Sequence, residues 1–222
     1  MPFSKSSLQF LIDLKHNNNR QWFNENKDRY VEANNDFKQF VEALVSEMNK
    51  VDDIERHKLF RIYRDVRFSK DKTPYNHHFS VSMTRSKPYL RGGYFLRIRP
   101  GESGIASGFW QPNAQDLLLI RKNIEADPGR YVKAVNAKSV VANFDTFIGD
   151  PVKTAPKGFS KDHPQIEHIR NRSFLFSNDF SDEEVVSDDF LGEVVNRFKN
   201  IRPFFDYMSD ILSHNLNGEP LY

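Results

Sequence analysis

The sequence predicts one α+β domain, 1–222, in which a central antiparallel meander of about four strands is flanked by N- and C-terminal helices. Three observations support this fold class. Apolar residues recur at helical spacing near both ends of the chain, whereas short aromatic or β-branched runs, separated by proline and glycine, occupy the middle. The length of 222 residues suits one domain, because domains usually contain about 100–200 residues.

The N-terminal part of the chain is predicted to form two helices. Leu8, Leu11 and Ile12 lie at helical spacing and indicate a short helix over 6–15. The asparagines at 17–19 end this helix and supply an N-cap for the next one. An apolar stripe from Trp22 to Met48 then predicts a single long amphipathic helix of about seven turns.

The central segment is predicted to form strands over 60–68, 79–85, 94–99 and 105–110. Each run is short and rich in aromatic or β-branched residues, and proline or glycine separates it from the next. Consecutive strands with turn residues between them are typical of an antiparallel meander. We expect helices to cover one face of that meander.

Helical patterns return after the meander. Asn113 and the pair Asp127–Pro128 are predicted to begin two helices, and a third helix is expected over 139–148. The remaining predictions are a loop over 151–163, a helix over 165–171, a strand over 173–177, a capping box at 181–184, and helices over 190–201 and 203–214.

Positive charge is concentrated in one segment. Residues 56–99 carry twelve lysines and arginines against two acids, a balance of +10, although the whole chain is only +2. The rest therefore sums to −8, and residues 178–193 hold seven acids without a base. A solvated charge run is the ordinary explanation of such a stretch, but a sheet would concentrate these residues on one face.

Several classes of function are disfavoured by composition and motifs. The chain has no cysteine, so disulfides, thiolate nucleophiles and cysteine-ligated zinc are excluded. It has neither a signal-peptide pattern nor an apolar run near the ~20 residues that a membrane span requires, so we expect a cytoplasmic protein without membrane association. Motifs for dinucleotides, phosphate loops or zinc proteases are absent, so no cofactor and no metal site are predicted.

The segment FRIYRDVRF at 60–68 carries the first candidate site residues. Strand alternation would place Arg64 in an apolar row with Phe60, Ile62, Val66 and Phe68. The opposite face would carry Arg61, Tyr63, Asp65 and Arg67. An unpaired buried charge is costly, so Arg64 is either an anion clamp in a pocket or a structural arginine paired with a helix carboxylate. Both interpretations stay open.

The adjoining segment SKDKTPY at 69–75 adds donors that suit a phosphate or carboxylate. Trp110 could stack on a ligand ring, although packing is the commoner role of a lone tryptophan. No catalytic residue is identified. The predicted ligand-binding residues are Arg61, Arg64, Arg67, Lys70, Lys72, Tyr75 and Trp110.

Three functions remain open at this point. The first is binding of a small phosphorylated or carboxylated ligand at a basic pocket on the sheet, with or without catalysis. The second is nucleic-acid binding through the same basic face. The third is a structural or interaction protein without a ligand, whose basic sheet contacts its own acidic segment 178–193 or a partner. The oligomeric state is not predicted.

These segments also resemble a known family. NNNRQWFNENKDRY at 17–30 and FRIYRDVRFSKDKTPY at 60–75 are similar to the bacterial and fungal family called domain of unknown function 2461, a family of conserved hypothetical proteins. Shorter matches are GYFL at 93–96, RPG at 99–101, GFWQP at 108–112, IRKNI at 120–124, HPQIEHIRNRSFLF at 163–176 and SDEEV at 181–185. The resemblance implies one domain and a cytosolic protein, and it implies no reaction.

Overall fold

The computed structural model describes residues 1–222 and contains a six-stranded antiparallel sheet with helices at both ends of the chain. The strands are β1 Ile54–Leu59, β2 Phe79–Arg85, β3 Gly93–Ile98, β4 Ser103–Phe109, β5 Thr146–Ile148 and β6 Phe174–Phe180. Their order across the sheet is β1-β2-β3-β4-β6-β5. The predicted α+β class and its antiparallel meander are therefore confirmed. The strand predicted over 173–177 is β6, and β6 and β5 extend the sheet beyond the meander.

The helices occupy the chain before β1 and after β4. They are α1 Lys5–His16, α2 Arg20–Glu25, α3 Lys27–Met48, α4 Ala114–Ala126, α5 Pro128–Val135, α6 Lys138–Val141, α7 Ile166–Ile169, α8 Asp182–Val185, α9 Phe190–Asn200 and α10 Arg202–Ser213. The predicted caps are confirmed: Asn113, Asp127 and Ser181 each accept a hydrogen bond from a backbone N–H of the first helical turn. None of these helices combines the length and the apolar composition that a membrane-spanning segment requires.

The two faces of the sheet differ in what covers them. On β3, Tyr94, Leu96 and Ile98 are buried, whereas Phe95 and Arg97 are only partly buried. The Tyr94 ring lies 4.8 Å from Phe198 of α9 and 5.2 Å from Phe205 of α10, measured between ring centroids. The helices thus pack on the Tyr94 side. We call the opposite side, which carries Ser80, Ser82, Phe95, Arg97 and Ala106, the open face.

The prediction of a strand over 60–68 is wrong. The first strand is Ile54–Leu59, and the chain then leaves the sheet as a loop over residues 60–78, which we call the basic loop. Its two arms face each other only around Tyr63 and Tyr75. Pro74 lacks an N–H donor, and Asp71 accepts the N–H of Thr73 in a local turn, so a longer strand pairing is not available.

Two helix predictions also need correction. The expected single helix over 22–48 is broken at Asn26, whose side chain donates to the carbonyl of Trp22 at 2.9 Å and ends α2. The helix expected over 139–148 covers only Lys138–Val141. The chain then forms β5 at the edge of the sheet. Phe147 of β5 pairs with Phe176 of β6, and the two rings pack against each other.

Candidate functional site

A groove lies between the basic loop and the open face of the sheet. Its volume is about 500 Å³, and it is broadly open to solvent. Its lining combines three aromatic rings with charged and polar side chains. The lining residues are Phe60, Arg61, Tyr63, Arg64, Asp65, Asn76, His78, Ser80 and Phe95.

Backbone hydrogen bonds join the basic loop to the sheet and close it upon itself. The N–H of Phe60 donates to the carbonyl of Ser80 at 2.9 Å, which continues the β1–β2 ladder by one step. Farther along, the N–H of Arg64 donates to Pro74 at 2.9 Å and the N–H of Asn76 donates to Ile62 at 2.7 Å. The loop therefore consists of two closely spaced, hydrogen-bonded arms, and it leaves the sheet beside Ser80.

The N-terminal helices hold the second arm of the basic loop in place. Asn18 accepts the N–H of Tyr75 at 3.2 Å through its Oδ1 and donates its Nδ2 to the carbonyl of Tyr75 at 2.9 Å. The Tyr75 ring is buried and stacks on Phe23, with centroids 3.9 Å apart and planes 12° from parallel. Tyr75, predicted to bind ligand, therefore anchors the loop in the core.

Arg64 acts mainly inside the basic loop. Its Nη1 lies 2.6 Å from Asp71 Oδ2 and 3.0 Å from the carbonyl of Thr73, and it also donates to the Thr73 hydroxyl. The Thr73 N–H, Arg64 and the Thr73 hydroxyl together lower the pKa of Asp71 to about 2. The apolar row predicted around Arg64 does not form, because Phe60 is 42% exposed and Phe68 is 96% exposed.

Two other predicted cations are also held by groups of the same loop. Arg67 forms a two-pronged pair with Asp65, with Nε 3.0 Å from Oδ1 and Nη2 2.7 Å from Oδ2. The Lys72 ammonium donates to the carbonyl of Val66 at 3.0 Å and more weakly to that of Arg67. Lys70 is exposed and makes no such contact. Arg67, Lys70 and Lys72 lie outside the groove lining.

Arg61 is the groove arginine whose guanidinium has no hydrogen bond or ion pair within the chain. The nearby carboxylate of Asp65 forms its ion pair with Arg67. Only the backbone carbonyl of Arg61 is engaged, accepting from Asn76 Nδ2 at a long 3.4 Å. The sequence predicted that Arg61 and Arg64 lie on opposite faces of a strand, but in the structure both residues line the same groove. All five guanidinium N–H donors of Arg61 remain available to a ligand.

His78 contributes a neutral imidazole to the groove. Burial is the main cause that lowers its pKa to about 4, and the positive charges of Arg97 and Arg99 and the adjacent His77 lower it further. Neither ring nitrogen of His78 has a hydrogen-bond partner in the chain. The imidazole is therefore uncharged near neutral pH and can donate one hydrogen bond and accept another.

Trp110 lies away from this site. The groove adjoins Ser80, which pairs with Arg97, and Arg97 pairs in turn with Gly104 near the start of β4. Trp110 follows the last residue of β4 and is separated from Gly104 by six residues, or roughly 20 Å of extended chain. Trp110 is exposed there, and the structure does not bring it together with Arg61 and Arg64.

The basic and acidic segments do not pair with each other. No ion pair joins residues 56–99 to residues 178–193. Within the acidic segment, Glu184 pairs with Arg197 of α9 at 2.9 Å, and Asp182 accepts the backbone N–H of Gly101 at 2.9 Å. The basic residues pair with Asp52, Asp65, Asp71, Glu102 and Asp116 instead. The intramolecular contact expected for an interaction protein is therefore missing.

Sequence reasoning missed several residues of the groove and its support. Asn18 was assigned only to a helix boundary, although asparagine can both donate to and accept from a backbone that it meets. His78 was not among the predicted ligand-binding residues. The signal that could have found it is its position two residues before Ser80 at the start of β2, on the same side of the chain.

Comparison with known families agrees with the motifs at 17–30 and 60–75. A family model described as "Conserved hypothetical protein (DUF2461)" matches residues 6–207. No curated protein and no solved structure matches the chain. The match extends from α1 into α10 and includes the whole basic loop and all six strands. The chain therefore belongs to the conserved hypothetical protein family DUF2461.

Proposed function

We propose that the groove binds a small anionic ligand, phosphorylated or carboxylated, and that Arg61 is its principal contact. The observation that carries this proposal is the free guanidinium of Arg61 in a groove of about 500 Å³. Binding sites for small molecules have volumes of ~300–1,000 Å³, so the space suits a ligand of metabolite size. A guanidinium offers a planar fork of donors that matches the two oxygens of a phosphate or carboxylate.

The surroundings of Arg61 favour an anion over a neutral ligand. Arg64 lines the same groove, but the Asp71 carboxylate 2.6 Å from its guanidinium offsets its charge, so Arg61 is the uncompensated cation of the lining. Arg97 lies next to Ser80 across the β2–β3 ladder. Asp65 is the one acid in the lining, and Arg67 already neutralises it. Lys70 adds long-range attraction from the loop tip without fixing the ligand's orientation.

Thermal melting with a panel of anions tests this proposal. The panel contains inorganic phosphate, pyrophosphate, citrate, ribose 5-phosphate and adenosine 5′-monophosphate, added to the wild type, Arg61→Met and Lys133→Met. Lys133 is exposed on α5 and has no ion-pair partner, so its variant removes one charge elsewhere. At least one anion should raise the Tm of the wild type and of Lys133→Met, but not of Arg61→Met. A panel without effect, or an unchanged response of Arg61→Met, would contradict the proposal.

A second candidate function is nucleic-acid binding. It is favoured by Arg56 and Lys58, which are exposed on β1 and pair with Thr84 and Ser82 on the open-face side. These residues extend the positive surface from the groove along the sheet edge, as a longer anion would require. Filter binding at increasing salt tests this reading, because each phosphate that is neutralised releases counterions and the affinity should fall steeply. Absent or salt-independent binding would exclude it.

A further inference from the structure

We infer that the anion bound in the groove is the phosphate of a nucleotide unit whose base lies against Phe60 and Phe95. This inference rests on the proposed anion-binding function and adds the chemical class of the ligand. The unit could be a free nucleotide or the end of a nucleic-acid strand, since both present one phosphate and one base. The aromatic and amide side chains of the groove carry the inference.

The aromatic part of the groove forms a corner. The Phe60 and Phe95 rings meet edge to face, with centroids 6.2 Å apart and planes at 68°. Phe60 is 42% exposed, so part of its side chain is accessible to a ligand. A planar ring that lies flat on one of these side chains meets the other at its edge, which is a favourable aromatic arrangement. The corner therefore suits a flat heterocycle better than a sugar or an alkyl chain.

The third aromatic side chain, Tyr63, packs against buried rings on one side. The Tyr63 ring contacts Tyr75 and Phe23 edge to face, with centroid distances of 5.5 and 5.7 Å. Those two rings are buried and stacked on each other. Tyr63 is therefore fixed on one side by the N-terminal helices while its other side borders the groove. A wall that is already in place lowers the entropy lost when a ligand binds.

Polar groups that could read the edge of a base lie beside the aromatic corner. Asn76 presents a carboxamide whose one contact, to the carbonyl of Arg61, is long at 3.4 Å. A carboxamide donates and accepts side by side, which matches the donor–acceptor edge of a nucleobase. The neutral imidazole of His78 and the hydroxyl of Ser80 add further donors and acceptors. Arg61, next to Phe60 in the chain, supplies the contact to the phosphate.

The experiment compares ligands with and without the base, and it uses two exposed phenylalanines as a matched pair. Isothermal titration calorimetry is performed with adenosine 5′-monophosphate, ribose 5-phosphate and a short 5′-phosphorylated oligoadenylate. The proteins are the wild type, Phe60→Ala and Phe68→Ala. Phe68 is even more exposed than Phe60 but lies at the loop tip outside the groove. Circular dichroism establishes that each variant is folded.

Adenosine 5′-monophosphate should bind the wild type more tightly than ribose 5-phosphate does. Phe60→Ala should weaken the binding of adenosine 5′-monophosphate by about 5- to 150-fold, the range expected for one base stacked on one aromatic ring. The same substitution should leave the affinity for ribose 5-phosphate unchanged. Phe68→Ala should change neither. Tighter, salt-sensitive binding of the oligoadenylate would assign the site to a strand end, and tighter binding of the mononucleotide would assign it to a free nucleotide. Either result supports the inference.

Two other results would overturn it, and they differ in what they leave standing. If ribose 5-phosphate binds as tightly as adenosine 5′-monophosphate and Phe60→Ala changes neither, the nucleotide inference is wrong while anion binding at Arg61 stands. If no phosphate compound binds any of the proteins, the anion-binding function itself is wrong and the nucleotide inference is lost with it.

Discussion

Arg85 and Asp52 form an ion pair that is closed off from water, with Arg85 Nε 2.8 Å from Asp52 Oδ2 and side chains that are 0% and 2% exposed. The hydroxyl of Tyr94 donates to the same carboxylate at 2.5 Å, and Arg202 lies 3.6 Å from its other oxygen. The pair joins the chain before β1 to β2, and the Arg85 guanidinium also lies over the Phe205 ring of α10, 4.8 Å from its centroid. Arg85, and not Arg64, is thus fully enclosed by the core.

The first prediction concerns this pair. Arg85→Met should lower the free energy of unfolding by about 3–5 kcal/mol, because it leaves the Asp52 carboxylate buried without its main partner. Urea unfolding followed by circular dichroism measures the loss. The control is Arg130→Met, since Arg130 and Asp210 form a pair that is about half exposed and should contribute at most about 1 kcal/mol. Similar losses in the two variants would contradict this account of the core.

The second prediction separates the roles of Arg64. Arg64→Met should cost only about 1–2 kcal/mol of folding free energy, because it removes hydrogen bonds to Thr73 but leaves Asp71 59% exposed to water. The same urea titration gives the value, with Arg67→Met as a neighbouring variant that should be neutral. A loss as large as that of Arg85→Met would mean that the basic loop contributes far more to the stability of the core than its exposure indicates.

The third prediction concerns the anchor of the basic loop. Asn18→Ala removes both hydrogen bonds to the Tyr75 backbone, so we expect a loss of about 1–3 kcal/mol and faster hydrogen exchange at the Tyr75 amide. Asn24→Ala, an exposed substitution on α2, is the matched control and should leave this exchange rate unchanged. Unaltered exchange in Asn18→Ala would show that the stacking of Tyr75 on Phe23 alone fixes the loop.

The fourth prediction concerns pH. The pKa of His78 is about 4 in the folded protein and near 6.5 when exposed, so the unfolded chain binds the extra proton more readily between these values. Stability should therefore fall as pH is lowered from about 6.5 to 4. His78→Gln should reduce this slope without abolishing it, because burial also lowers the pKa of His77 and His168. Urea midpoints at a series of pH values provide the measurement, and an identical slope in His78→Gln would contradict the assignment.

The helical ends of the chain could be predicted from sequence because their signals are local. Asn113, Asp127 and Ser181 act on backbone groups within three residues, and no distant partner is needed to recognise such a cap. The break at Asn26 was missed because the apolar stripe continues on both sides of it. Its side chain donates to the carbonyl of Trp22, and this local contact leaves the hydrophobic spacing unchanged.

The basic loop was mispredicted because its apolar residues alternate with polar ones at the spacing that is typical of a strand. Phe60, Ile62 and Phe68 alternate as a half-buried strand would, yet only Ile62 is buried. The true strand β1 has the sequence IERHKL and was missed because an edge strand needs few apolar residues. The groove depends on which loop arm meets which strand, and such long-range placement leaves no local pattern. The sequence shows where basic residues are concentrated, but it could not separate the free Arg61 from the engaged Arg64.

The composition of β1 has a further consequence at the margin of the sheet. An unpaired strand edge offers its N–H and C=O groups to any extended chain and so invites sheets of separate molecules to join into fibrils. On β1 the side chains of Glu55, Arg56, His57 and Lys58 are all exposed, and a second strand could dock only by crowding and dehydrating these charges. The opposite margin is formed by β5, whose three residues are too short a template for stable pairing. The charged side chains of β1 therefore protect this edge of the sheet from fibril-like self-association.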